Sequence, residues 1–195
     1  MRIGLFGGTF NPPHFGHLLL AERVVEALKL DTMLFIPAAI PPHKIDATYI
    51  APNEHRVAML LRAIAGNPAF DISTVEIDRE GISYTIDTVK TLAASFRGAE
   101  LFLLLGADNL ADFHNWRDPE GICALASLVA MHRAGFAMDD VDPAWRRHLV
   151  AVRTPVIEIS GTEIRERVKE GRSIRYYVPE AVAAYIADHG LYRDA

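Results

Sequence analysis

The sequence predicts an α/β protein built on a doubly wound parallel sheet. Three observations carry that expectation. Short apolar runs alternate with segments of helical period along all 195 residues. The first run ends in a glycine turn that opens a helix, and no apolar run approaches membrane-spanning length. Expected strands are Arg2 to Phe6, Met33 to Ile36, Ile72 to Ile77, Leu101 to Leu105, Leu128 to Met131 and Val156 to Ile159. Helical stripes lie between them: Leu18, Ala21, Val25 and Leu28; then Val57, Leu60, Leu61 and Ile64; then Val89, Leu92, Ala93 and Phe96. With half its residues apolar, the chain can bury a full core as a single domain, 1–195, whose part from about 160 to 195 is helical. Sheets of this kind bind ligands beyond the carboxyl ends of their strands, near the switch point. The turns at Gly7-Gly8, Gly106-Ala107-Asp108 and Ser160-Gly161-Thr162 should converge there.

Composition bounds the function. Twenty basic against twenty-five acidic residues give a formal charge of −5, which disfavours a nucleic-acid surface and leaves room for small phosphates held by local cations. The single cysteine, Cys123, excludes an intramolecular disulfide. The N-terminus runs into a strand without a leader pattern, so no membrane role and a cytoplasmic location are expected.

The first turn is the strongest chemical signal. Gly7-Gly8-Thr9-Phe10-Asn11-Pro12-Pro13-His14-Phe15-Gly16-His17 joins a strand to a helix. Backbone N–H groups at a helix start lack intrahelical partners and carry partial positive charge, so an anion can sit there if side chains leave the approach open. Gly7, Gly8 and Gly16 keep it open, and His14 and His17 can both lean toward one anion as donors. The chain therefore reads as handling a nucleotide phosphate. G-x-G-x-x-G and G-x-x-x-x-G-K-[ST] are both absent, and a zinc site lacks a third ligand beside the two histidines. Pro41-Pro42-His43-Lys44 falls in a long connection, Ala38 to Pro52, that reads as a functional loop. In Ser160-Gly161-Thr162-Glu163-Ile164-Arg165, Ser160 and Glu163 have the spacing of a capping box. Thr162 and Arg165 are left over, and a guanidinium at the positive end of a helix points to a bound anion.

Taken together these residues resemble a known family. His14-Phe15-Gly16-His17 and Ile159-Ser160-Gly161-Thr162-Glu163-Ile164-Arg165 look like the signature of the nucleotidylyltransferase superfamily, which class I aminoacyl-tRNA synthetases share. Pro41-Pro42-His43-Lys44, Ser83-Tyr84-Thr85-Ile86-Asp87-Thr88, Gly106-Ala107-Asp108 with Trp116, and Tyr177-Val178-Pro179 to Tyr192 are similar to bacterial nicotinate mononucleotide adenylyltransferases. The resemblance spans nearly the whole chain. It departs at Gly161, where the family usually has Ser, and at Arg133-Ala134-Gly135, where it usually has Arg-Pro-Gly.

The resemblance implies a Rossmann-like nucleotidylyltransferase fold. It implies transfer of the adenylyl group of ATP to nicotinate mononucleotide, giving the deamido dinucleotide and pyrophosphate on the way to NAD. His14, His17, Lys44 and Arg165 would be the catalytic clamps on the ATP phosphates. Gly7, Gly8, Thr9, Phe10, Gly106, Asp108, Ser160 and Thr162 would bind ATP. Tyr84, Thr85, Trp116 and Arg133 would surround the pyridine nucleotide, and Mg²⁺ would arrive on the ATP phosphates with no protein ligand assigned. A phosphopantetheine or cytidylyl transferase would share the first and last motifs, and a non-catalytic nucleotide sensor would bind ATP without releasing pyrophosphate. A synthetase fragment would need a basic tRNA surface.

Overall fold

The computed structural model describes residues 1–40, 49–132 and 141–193. Six parallel strands form one sheet: β1 (Arg2–Gly8), β2 (Thr32–Pro37), β3 (Phe70–Ile72), β4 (Glu100–Leu105), β5 (Ser127–His132) and β6 (Leu149–Arg153). Their spatial order, β3-β2-β1-β4-β5-β6, reverses direction between β1 and β4. That reversal opens a crevice at the carboxyl ends of the two central strands. The helices are α1 (Phe15–Leu28), α2 (Asn53–Ile64), α3 (Val75–Arg79), α4 (Thr85–Ser95), α5 (Ala107–Ala111), α6 (Pro119–Leu125), α7 (Pro143–Arg146), α8 (Gly161–Lys169) and α9 (Glu180–Asp188). A 3-10 turn spans Phe113–Asn115.

Alternation along each strand sorts side chains to two faces, and both faces are covered. On one face, Ile3, Leu5, Leu34, Leu101, Leu103 and Leu128 pack against Ile86, Val89 and Leu92 of α4, Ile122 of α6, and Phe113 and Trp145. On the other, Phe6, Met33, Phe35, Phe102, Leu104 and Val129 pack against Ala21 and Val24 of α1 and Leu60 and Ile64 of α2. Trp145 is a core residue meeting the Phe113 ring edge-on at 5.2 Å. A third cluster joins Met59 of α2, Ile164 of α8, Val182 and Ile186 of α9, and Tyr192. No helix among the described residues is long and apolar enough to cross a membrane.

Two expected strands are displaced. The run Ile72 to Ile77 is strand only at Ile72, where β3 ends, and Val75–Arg79 coils into α3. The Thr74 hydroxyl donates to Asp78 Oδ2 at 2.8 Å across that turn, a local bond that an extended segment could not make. The sixth strand is Leu149–Arg153 rather than Val156 to Ile159: Leu149 pairs with Leu128 and Arg153 with His132, and the chain leaves the sheet just before Pro155, which has no N–H for a ladder.

The stripe of α2 is also rotated. Its buried residues are Arg56, Met59, Leu60 and Ile64, while Leu61 stays 55% exposed. The fully buried Arg56 guanidinium donates to the carbonyls of Thr9 (2.8 Å), Ala38 (2.6 Å) and Ala51 (3.1 Å) and to Asn53 Oδ1. The exits from β1 and β2 and the entry to α2 therefore hang on one planar group. Burial lowers its pKa, with the nearby Tyr192 and Glu76 opposing that shift. Arg56→Met should destabilise the protein by about 3 kcal/mol, because buried carbonyls lose their donors. Thermal unfolding checks this, and a melting temperature within a degree or two of the parent would contradict it.

Candidate functional site

Two cavities lie side by side at the crevice. The smaller, about 190 Å³, is lined by Thr9, Phe10, Asn11, Pro12, His14, His17, Tyr49, Gly161, Thr162 and Arg165. Two helix starts, of α1 and α8, border it, so unpaired N–H groups and positive dipole ends converge on one polar space. The first and last motifs of the chain thus meet, as the turn chemistry predicts.

His14 occupies the N-cap of α1, with His17 one turn on. The two imidazoles stack at 3.7 Å, and the His14 backbone N–H donates to His17 Nδ1 at 3.2 Å. That bond settles the His17 tautomer: Nδ1 accepts, so Nε2 carries the proton and is a donor. Phe10 wedges the ring from its other side at 5.0 Å, and the Phe6 ring lies 6.0 Å away. Burial lowers His14 to about 4, and burial plus the neighbouring His14 holds His17 well below the usual imidazole range. Both rings are therefore neutral near pH 7. His14 Nδ1 is buried without a partner among the described residues and packs against Gly16, where a Cβ would stand only 2.9 Å away. This close approach is what requires glycine at position 16.

Arg165 projects from the second turn of α8. Its Nη1 donates to the Asn11 carbonyl at 2.8 Å, its Nη2 to Thr162 Oγ1 at 3.3 Å, and its guanidinium lies 4.7 Å over the Tyr49 ring. Ser160 caps α8, its Oγ accepting from Glu163 N–H at 3.1 Å. A Cβ on Gly161 would stand 2.9 Å from the Asn11 carbonyl oxygen. The departure at this position lets α8 approach the first loop closely.

Asn11, which sequence reasoning passed over, is the hub of that loop. Its Oδ1 accepts from Ala51 N–H at 3.0 Å and from the Tyr192 hydroxyl at 2.8 Å, while its Nδ2 donates to the Tyr49 carbonyl at 3.1 Å. The first helical N–H of α1, on Phe15, donates to the Tyr177 carbonyl at 3.0 Å. Local sequence does not reveal what Asn11, Arg56 and Tyr192 do, because their decisive partners, among them Thr9 for Arg56 and Ala51 for Asn11, lie tens of residues away.

The larger cavity, about 410 Å³, is more apolar and lies at the switch point between β1 and β4. Tyr84, Thr85 and Trp116, expected together, all line it, along with Gly7, Gly8 and Thr9. Trp116 packs on Phe113 at 5.4 Å and stays partly exposed in the cavity wall. Thr85 begins α4, whose N-cap, Tyr84, makes no side-chain cap bond. Arg117 lies 4.7 Å over the Tyr84 ring. Ser83 ties this segment to the end of β2: its Oγ accepts from Ala39 N–H at 2.9 Å, and its N–H donates to the Ile40 carbonyl at 3.1 Å. Glu76, buried and unforeseen, also lines the cavity and accepts from Thr88 Oγ1 at 2.7 Å.

Thr9 borders both cavities. Gly106 closes β4, its carbonyl accepting from Leu110 N–H at 3.0 Å, and Asp108 is in α5 directly beyond it. Lys44 and Arg133 lie outside the described residues, as does the side chain of Asp108. Among the described residues no group of three or more His, Cys, Asp or Glu side chains is placed to hold a metal ion.

A family model described as cytidylyltransferase-like matches residues 5–167. A probable nicotinate-nucleotide adenylyltransferase of Thermus thermophilus is 47% identical over 193 residues, covering 99% of this chain and 100% of the relative. A probable enzyme of the same name from Salinibacter ruber is 45% identical over 193 residues, covering 99% of this chain and 98% of the relative. The fold matches that of Plasmodium falciparum nicotinic acid mononucleotide adenylyltransferase complexed with NaAD at a TM-score of 0.79, with 17% identity, 98% of this chain and 97% of that one covered.

The histidine environment makes a pH prediction. Folding lowers the His14 pKa from about 6.5 to about 4, so the unfolded chain binds more protons between those values. The stabilising contribution is whole above pH 6.5, falls as pH drops toward 4 and levels off below. For His14 alone the loss is about 3 kcal/mol, and His17 acts in the same direction. His14→Ala should therefore flatten stability against pH between 6.5 and 4 in denaturant titrations. A parallel profile in parent and variant would show that the ring is not desolvated.

Proposed function

The chain belongs to the cytidylyltransferase-like family and, within it, to the nicotinate-nucleotide adenylyltransferases, and from that premise we propose how it transfers the adenylyl group of ATP to nicotinate mononucleotide. The observation that carries the reading is the pair of adjoining cavities sharing Thr9, one polar and flanked by two helix starts, the other apolar with an aromatic wall. The polar cavity takes the ATP triphosphate. The apolar one takes the pyridine nucleotide, so that its phosphate meets the α-phosphorus near Thr9.

An oxygen of the mononucleotide phosphate attacks the α-phosphorus of ATP. The new P–O bond forms as the bond from that phosphorus to the bridging oxygen breaks, and the bridging oxygen leaves on pyrophosphate. The attacking oxygen is already ionised at neutral pH, so no protein nucleophile or general base is needed. Alignment and stabilisation of developing charge do the catalysis. His17 Nε2–H and the His14 ring donate to phosphate oxygens as neutral groups, and Arg165 and Lys44 add positive charge. Thr9 and Thr162 supply hydroxyls and Phe10 and Ser160 backbone groups to ATP, Gly7 and Gly8 offer backbone from the adjoining cavity at the side of the α-phosphate, and Gly106 and Asp108 lie toward its ribose and adenine. The Phe10 ring is buried in the core, so its part in this is as a wall behind His17.

Imidazole, guanidinium and hydroxyl donors suit phosphate oxygens rather than a bare cation. A divalent ion, Mg²⁺, fits here carried by ATP phosphates and water, where it neutralises phosphoryl charge. We assign residues 1–195 to one catalytic unit and place it in the cytoplasm, where a buried free thiol such as Cys123 is at home.

The acceptor ring lies between Trp116 and Tyr84, with its carboxylate accepting from Thr85 and the N–H groups that open α4; Arg133 adds charge. An amide there turns donor hydrogens toward donors. Nicotinate mononucleotide should be used at least about 100-fold better than its amide in kcat/KM, measured as pyrophosphate release. Equal use of both would remove the carboxylate reading, and Trp116→Ala should raise the acceptor KM far more than the ATP KM. His17→Ala should lower kcat by about 100-fold or more while the variant stays folded, as loss of one preorganised donor does. Near-parental turnover in a folded variant would take His17 out of the site.

A further inference from the structure

We propose that Tyr192, near the far end of the chain, is a positioning residue for ATP that acts through Asn11 on Arg165. The inference rests on the assignment of the smaller cavity to the triphosphate. Tyr192 belongs to the C-terminal apolar cluster with Val182 and Ile186, and it is 7% exposed. Its hydroxyl nevertheless leaves that cluster and donates to Asn11 Oδ1 at 2.8 Å, a bond between residues 181 positions apart. The ring sits on a residue with φ of 65°, a left-handed conformation that an L side chain adopts only when something holds it.

Asn11 has no freedom left once that bond is made. Its Oδ1 accepts twice, from Tyr192 and from Ala51 N–H, its Nδ2 donates to Tyr49, and its own carbonyl receives Arg165 Nη1. The carbonyl direction is therefore set by the side-chain contacts of the same residue. Arg165 uses Nη1 on that carbonyl and Nη2 on Thr162, which fixes the plane of the guanidinium and the edge it turns to the cavity. Burial pushes the Tyr192 phenol up and keeps it protonated, although the Arg165 and Arg56 guanidiniums pull the other way. The hydroxyl is thus a permanent donor, and Tyr192 need not touch the nucleotide to orient its clamp.

Tyr192→Phe removes one oxygen and keeps the packing. ATP binding, measured by calorimetry on the full chain with Mg²⁺, should weaken about fivefold, the value of one hydrogen bond, with the acceptor KM unchanged. Val182→Ala, in the same cluster, should lower the melting temperature and leave ATP affinity as it was. Combined with Arg165→Ala, Tyr192→Phe should add nothing further, because the group it orients is gone. Unchanged ATP affinity in Tyr192→Phe, an equal loss for ATP and acceptor, the same ATP loss in Val182→Ala, or the full fivefold loss persisting beside Arg165→Ala would each overturn the proposal. Pyrophosphate release by the parent protein with ATP and nicotinate mononucleotide tests the functional reading separately. A parent that binds ATP and releases none would sink that reading while the coupling measurement still stood.

Discussion

The hydrogen bond from Arg165 to the Asn11 carbonyl, 2.8 Å long across 154 residues of sequence, is the contact on which the site depends. It brings the start of α8 against the loop before α1, so two helix N-termini face one space. On the proposed reading, two such termini with their free N–H groups hold a polyphosphate that one alone would hold weakly. Close contacts nearby keep the loop and both helix starts in place. Gly161 removes a Cβ that would meet the Asn11 carbonyl, Gly16 removes one that would meet the His14 ring, and Arg56 binds the Thr9 carbonyl beneath the loop.

The electrostatics follow from this geometry. A chain of net charge −5 attracts a polyphosphate only through a local field, and here that field comes from dipoles and a few cations. In the proposed mechanism the histidines act as neutral donors, because the packing that positions them also strips them of water. The His14 backbone bond to His17 Nδ1 turns the one N–H of that ring outward. A permanently charged side chain in the same place would lose more on burial. The neutral imidazole avoids that cost and keeps its directionality as a donor.

Much of this was legible in the sequence, and for stated physical reasons. His14, His17, Thr162 and Arg165 are local chemistry at helix starts, where type and spacing carry the meaning; the structure gathers them into one cavity, while Gly7 and Gly8 line the adjoining one. Tyr84, Thr85 and Trp116 likewise meet in the other cavity. The fold class could be read from alternation, and four strands lie where their apolar runs place them, within a residue or two. Ile72 to Ile77 misled because a short apolar alternation fits a helical turn as well, and the Thr74 to Asp78 bond decided it. Val156 to Ile159 misled because ladder pairing with β5, not apolar content, selects the edge strand. The roles of Arg56, Asn11 and Tyr192 could not be read for another reason, although Asn11 and Tyr192 fall within quoted motifs: each role depends on partners distant in sequence, and an arginine in a helix normally reads as surface.

In the mechanism proposed above, His17 presents a neutral Nε2–H to the phosphates. Nitrogen-15 NMR of the histidine side chains in the nucleotide-free protein tests it most directly. At pH 7 the His17 ring should show the shifts of an Nε2-protonated neutral tautomer, with Nδ1 bare, and its Nε2 resonance should move when ATP is added. An imidazolium at pH 7, or an Nδ1-protonated ring indifferent to ATP, would contradict the account.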